Sequence, residues 1–512
     1  MSQRAFSLII FILVFVIGLL PIFTMIYDTF IGIEGSVSYR DLFGASGVYA
    51  SFLNSLMLSF VVAILTTLVG TALGLLFGKT NLLFSKFLLL LFIVPLLIPP
   101  YIVALGWFDI IGTNGILSEL FFGFWGTSFV LFCVYLPIPI LLSLFFLKQI
   151  DPRLEDAARL MTGWKGVIKN ITLPLMMPAM VLSFLLVFIF TFGEYSVANV
   201  LRYSVFPLES FIQFSAFYDF KAAMIMAMPM LLIALMVLLI EQLFLEKRIF
   251  KFNTSHKIEV VVLTRKEQLL ALSLVSIFVL IVVILPLMSI FIGAAHWDSF
   301  SIALDKAWDP LIRSLLYAFS GATVLMIFGF LSAYIIVSKM VSYWRVFDAG
   351  IVFLFTLPAT VLGIALILFW NTPYANFIYA SPLIIIFGYF GKYLALSTKI
   401  SQIKLSQIPH SMVQAAQMAG ANWFQTLRYI LLPLSKKMLI ATWFVGFIFS
   451  LRENTITMLI YPPGAEPLPV YIVTQMANGK FEIISALCTI MIAVTLLPLL
   501  VFLLGKFVKE KV

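Results

Sequence analysis

Charge is scarce in this 512-residue chain: Asp, Glu, Lys and Arg make up 11% of it, against 62% hydrophobic residues. So little polar surface cannot clothe a water-soluble globule, and a soluble architecture is excluded. Cysteine is scarcer still. Cys133 and Cys488 both stand inside apolar runs, which excludes a disulfide scaffold and a thiolate metal centre and leaves them as packing residues. The three histidines, His256, His296 and His410, are far apart with no partner at ligand spacing, so no metal site is expected. No hydrolytic triad or pair of catalytic carboxylates is found, and the chain is read as no enzyme in its own right, without catalytic residues. One phosphate motif fails on inspection. Gly74-Leu-Leu-Phe-Gly78-Lys79-Thr80 has three residues between its glycines where a P-loop needs four, and it ends an apolar run instead of following a strand. Gly70, Gly74 and Gly78 are instead spaced to let two helices approach closely.

What is present is apolar length. A bilayer span takes about 20 apolar residues, and twelve candidates can be read. They are roughly 6–26, 54–78, 87–107, 128–147, 175–192 and 222–245, then 269–291, 314–337, 346–369, 382–398, 437–450 and 486–507. The spans holding Pro95, Pro137 and Pro358 are expected to kink. The first follows Arg4 but is too long, and lacks the small-residue cleavage site, for a removed signal, so it is expected to be retained. With the N-terminus in the cytoplasm, most of the 32 Lys and Arg fall inside, as the positive-inside rule requires. Both termini are then cytoplasmic. The net charge of +9 is topological and calls for lipid, not nucleic acid, as the partner.

A duplication organises the sequence. Asn54-Ser55 recurs as Arg313-Ser314, Pro95 and Trp107 as Pro358 and Trp370, and Trp164 and Pro174 as Trp423 and Pro433, the last pairs 259 residues apart. The organisation read is a first half over 1–246, a polar, basic linker over 247–267, and a second half over 268–512. Six spans per half give both the same orientation, with a path between them.

The sharpest repeated element is a polar loop, about 148–174 and again about 402–435. The first copy contains Asp151-Pro152, Glu155, Asp156-Ala157-Ala158, Gly163-Trp164 and Ile171-Thr-Leu-Pro174; the second contains Gln414-Ala415-Ala416, Gly420, Trp423 and Ile430-Leu-Leu-Pro433. Asp151 can cap a helix that opens on Pro152, paired alanines favour the helix, and glycine can stop it in a left-handed conformation. Ser411 with Gln414 could alternatively be only a capping box.

These residues resemble the EAA loop of binding-protein-dependent ABC importer permeases. The resemblance implies an all-α integral membrane protein of about twelve helices in two parallel six-helix repeats, the type I importer (MetI-like) permease fold. It implies that Glu155, Asp156, Ala157, Ala158 and Gly163, with Gln414, Ala415, Ala416 and Gly420, couple the permease to an ATPase. Two ATPase copies and one extracytoplasmic solute-binding protein are the implied partners; ATP and Mg would lie on the ATPases, with no cofactor on this chain. The usual glutamate is Asp156 in one copy and Gln414 in the other, and the first copy is one residue shorter before its tryptophan. Unequal contacts are therefore expected. The stretch from Phe449 to Gly464, and Thr191-Phe-Gly-Glu194-Tyr in the first half, are similar to the fused permeases of ferric-iron importers. Permeases for thiamine, phosphonates and phosphorylated sugars share that layout. A secondary transporter built from parallel repeats, or a scaffolding membrane protein, is the alternative class.

Glu194 and Glu453 each follow a loop proline by about 20 residues, about 30 Å along a straight helix. Burying charge at membrane depth costs on the order of 2.5 to 3.5 kcal/mol, so Glu194, Arg452 and Glu453 are expected to line the translocation path or its gate. A fixed ion pair between the halves is the other reading. Lys392 is expected to snorkel to the inner interface, with an inner-gate charge as the other reading.

Overall fold

The computed structural model describes residues 3–32, 44, 46–112, 116–244, 258, 260–339 and 341–510. Most of the linker, and the boundary at 246/247, therefore lie outside the described residues. Those described are helical apart from turns and one isolated bridge between Thr80 and Val261.

The first half runs α1 (Gln3–Ile31), α2 (Ser46–Lys79), α3 (Ser85–Leu97), α4 (Pro100–Ile111), α5 (Phe124–Leu147), α6 (Pro152–Phe192), α7 (Ser196–Val200), α8 (Phe206–Ser215) and α9 (Phe220–Phe244). The second runs α10 (Arg265–Gly293), α11 (Trp297–Ser338), α12 (Trp344–Thr356), α13 (Ala359–Trp370), α14 (Leu383–Ser406), α15 (His410–Met418), α16 (Trp423–Leu434), α17 (Lys436–Leu451), α18 (Thr457–Ile460), α19 (Leu468–Gln475) and α20 (Phe481–Glu510). The order repeats: α10 stands where α1 does, α11 where α2 does, and α15 to α17 divide the course that α6 follows. Among the described residues nine helices are long and apolar enough to cross a membrane, and three bent pairs raise the number to twelve. This is the expected all-α membrane architecture.

The breaks follow from proline. The chain bends by 100° between α3 and α4 and by 108° between α12 and α13. A residue before proline is pushed out of the helical region, and Ile98 and Leu357, each preceding a proline, are extended with ψ of 157° and 134°. Pro99 and Pro358 then head the second arms with matching angles. This corrects the sequence pairing: Pro358 corresponds to Pro99, while Pro95 stays inside α3. The intervals 87–107 and 346–369 are thus broken helices and not single straight spans. The interval 292–312, between the spans read at 269–291 and 314–337, is largely the first turns of α11.

Glycine governs the closest approaches. A Cβ on Gly70, Gly74 or Gly78 of α2 would run into Pro139, Ser143 or Leu147 of α5, and one on Gly329 of α11 would meet Ser397 of α14. Small residues let the backbones touch, which is what holds helices together in lipid. The halves also exchange their first helices: α1 packs on α13, and α10 packs on α4. Met25 and Leu357 accordingly share one core, Ile290 and Leu105 another.

Candidate functional site

The two polar loops form matched protrusions. In α6 Asp151 accepts from the Arg153 backbone N at 3.0 Å and Pro152 opens the helix, which turns sharply at Gly163 with φ of +64°. In the second loop Gly420 has φ of +84°, and its N donates to Gln417 O at 2.9 Å while Ala421 N donates to Ala416 O at 2.9 Å. That pair of bonds is a Schellman stop, which favours glycine because an L side chain resists positive φ. The capping-box alternative fails: Pro409 stands at the cap of α15, with no side-chain cap bond. The two helices present similar surfaces. Asp156 and Ala157 are exposed, as are Gln414 and Ala415, and Ala158 and Ala416 are half-buried behind them. At equivalent places on the two tips, Leu160 is 91% and Met418 90% exposed.

One expected member of this set does not belong to the exposed surface. Glu155 is buried, ion-paired to Lys79 at the end of α2 and accepting from Thr172 Oγ1 at 2.8 Å. Standing about 100° round the helix from Asp156, it turns inward to Lys79 while Asp156 stays exposed.

A second region gathers the intramembrane charges. Glu194, Arg452 and Glu453 line one small cavity of about 70 Å³, together with Lys392, Tyr393 and Asn454. Glu194 accepts from the backbone N of Ser196 at 2.9 Å and of Val197 at 3.0 Å, and from Ser196 Oγ. Glu453 accepts from Ile456 N at 3.0 Å and from Tyr393 OH. Each carboxylate thus satisfies backbone donors at the start of a short helix, α7 or α18, that would otherwise lack partners. Arg452 makes no ion pair with either: among the described residues the two ion pairs are Lys79 with Glu155 and Lys399 with Asp348. The guanidinium instead lies over the Phe449 ring at 5.2 Å, and its Nη1, like Asn454 Nδ2, is buried without a partner. Such donors are the groups a passing water or solute would bind.

Lys392 overturns its expectation. Instead of snorkelling, its Nζ donates to Leu357 O at 2.7 Å. The bend after Leu357 frees that carbonyl at membrane depth, where it must be satisfied by protein. Sequence reading also missed Tyr393, for which an apolar span gives no signal. Ser55 and Ser314 explain the early repeat pair: Phe206 N donates to Ser55 Oγ at 2.7 Å and Leu468 N to Ser314 Oγ at 2.6 Å, fixing α8 and α19 alike. No cluster of three or more His, Cys, Asp or Glu suited to a metal occurs among the described residues.

Comparison with known proteins matches residues 325–511 to the family described as the binding-protein-dependent transport system inner membrane component. The chain is 24% identical over 481 residues to the ferric transport system permease protein FbpB of Actinobacillus pleuropneumoniae, covering 88% of this chain and 70% of that one. It is 22% identical over 472 residues to the Fe(3+)-transport system permease protein FbpB 2 of Haemophilus influenzae, 89% of each chain. The spermidine/putrescine transport system permease protein PotC of Escherichia coli aligns over 39% of this chain and 75% of its own length at 24% identity. With the repeated loops and broken helices, these matches, the family match lying in the second half, support a multi-pass membrane permease similar to those of binding-protein-dependent transport systems.

Proposed function

We propose that this permease carries ferric iron into the cytoplasm, receiving it from an extracytoplasmic binding protein and drawing on ATP hydrolysed by two ATPase subunits, one on each polar loop. The observation that carries the reading is the pair of matched tips, each a capped helix with exposed small residues and a bare large apolar side chain, Leu160 or Met418. That is the form of a helix made to seat in a partner's groove. Placing the loops and both termini in the cytoplasm follows the distribution of Lys and Arg. ATP binding draws the loop helices together and opens the path outward, and hydrolysis lets it relax. Glu194, Arg452 and Glu453 share a cavity lined from both halves, which supports a path passing there. The carboxylates are spent on the short helices that follow them and, for Glu453, on Tyr393 OH, so Arg452 and Asn454 carry the unpartnered donors.

Ferric iron as cargo rests on the relatives that cover most of the chain, with the binding protein making the choice of solute. The test is stimulation of ATP hydrolysis in the reconstituted complex by candidate binding proteins, each with its solute. Stimulation by a ferric-loaded protein supports the reading; stimulation only by a phosphonate-, sugar-phosphate-, thiamine- or polyamine-loaded one replaces the cargo and keeps the permease.

A further inference from the structure

Lys79 is the last residue of α2, and its ion pair with Glu155 is almost wholly removed from solvent, with side chains 3% and 2% exposed. The same carboxylate accepts from Thr172, which lies in the π-helical turn Ile168–Thr172 at the root of the membrane part of α6. One buried anion therefore ties the loop helix to two membrane helices. The end of the inter-half segment is fastened to the same place. Val261 N donates to Lys79 O at 2.7 Å, Leu263 N donates to Asn81 Oδ1 at 2.9 Å, and Gln268 Nε2 donates to Asn81 O at 2.9 Å. Ile258 packs against Leu147, Ile150 and Met176 alongside.

Among the described residues the second half has no equivalent on its loop helix; its ion pair, Lys399 with Asp348, joins α14 to α12. The positions of Lys79, Glu155 and Thr172 are taken by Ser338, Val413 and Leu431. Ser338 Oγ turns back to Tyr334 O at 2.6 Å on its own helix. Leu431 lies with Phe330, Tyr334, Leu405 and Leu427 in an apolar cluster against which Val413 packs. Apolar contact is non-directional and tolerates sliding, whereas a desolvated, hydrogen-bonded ion pair holds one geometry and strands a charge if a partner is lost.

We propose that Lys79, Glu155 and Thr172 form a rigid transmission joint in the first half that has no counterpart among the described residues of the second. Lys79 and Glu155 act as positioning residues: motion at the first loop passes to α2 and, through the Val261 strap, to the start of α10. Among the described residues α15, the second loop's helix, bears on the membrane body through apolar packing. This rests on the permease reading of the loops.

The test uses the full chain, co-expressed with its ATPase and reconstituted with loaded binding protein, and reads solute moved per ATP hydrolysed. Lys79→Met or Glu155→Gln is expected to leave a complex that assembles and hydrolyses ATP but moves about tenfold less solute per ATP. The exchange Lys79→Glu with Glu155→Lys should recover most of the loss. Val261→Pro, which removes the strap's N–H and leaves the ion pair intact, should produce a smaller loss of the same kind, and Val413→Ala should leave the ratio within about twofold. The proposal is overturned if the single variants keep the wild-type ratio, if the exchange is as impaired as the singles, or if Val413→Ala costs as much. Failure of the wild-type chain to bind any ATPase would instead overturn the permease reading.

Discussion

Leu160 and Met418 offer the most direct handle on partner docking, because each is almost fully exposed and touches little of its own chain. Burying a leucine or methionine side chain fully is worth about 1.5 to 3 kcal/mol. Alanine keeps part of that, so Leu160→Ala or Met418→Ala should remove about 1.5 kcal/mol of docking free energy, roughly a tenfold rise in Kd for the ATPase. The tips lie on different loops with no shared contacts, so the double variant should lose roughly a hundredfold. Titration of purified ATPase against detergent-solubilised permease reads the affinity, and thermal unfolding of the permease alone is the control. Its Tm should stay put, since neither side chain packs in the isolated chain. Unchanged affinity in both single variants would refute the assignment of the tips as docking elements; a loss of affinity accompanied by a fall in Tm would refute the argument from exposure.

Other perturbations follow from the same geometry. Gly420→Ala forces an L residue to φ of +84° and should destabilise the loop by about 1 kcal/mol, read as faster proteolysis at the second loop than at the first. Lys392→Met leaves the Leu357 carbonyl unpaired and should cost about 1 to 3 kcal/mol, seen as a lower Tm. Tyr393→Phe removes the phenol that donates to Glu453 and should lower the uptake rate with the complex still assembled; Glu453→Gln should do the same, and normal transport in both would remove the carboxylate from the path. Gly74→Val places a branched side chain against Ser143 and should reduce the yield of folded protein, with Gly74→Ala milder.

The helical spans and the paired loops were legible because their signals are local: apolar length, a cap, a proline, a glycine stop. The sites of bending were less so. Pro95, Pro99 and Pro100 stand within one turn and a half of helix, and nothing nearby says which one breaks the chain; only the matched angles at Pro99 and Pro358 decide it. Glu155 and Asp156 read alike as surface acids. Their separation into a buried and an exposed residue depends on Lys79, 76 residues away, and no local pattern carries that. Lys392 misled for a related reason: its partner is a carbonyl freed by a bend in another helix. Glu194 and Glu453 share one cavity with Arg452, but their main bonds are to the helices that follow them, and the ion pair offered as an alternative does not form.

The central claim, that the two loops transmit the work of an ATPase to transport, is tested most directly by uptake into proteoliposomes containing the permease, ATPase and loaded binding protein. The account predicts uptake that requires ATP and is abolished by deleting Ala415 and Ala416. Uptake driven by an ion gradient without ATPase, or undiminished by that deletion, would contradict it.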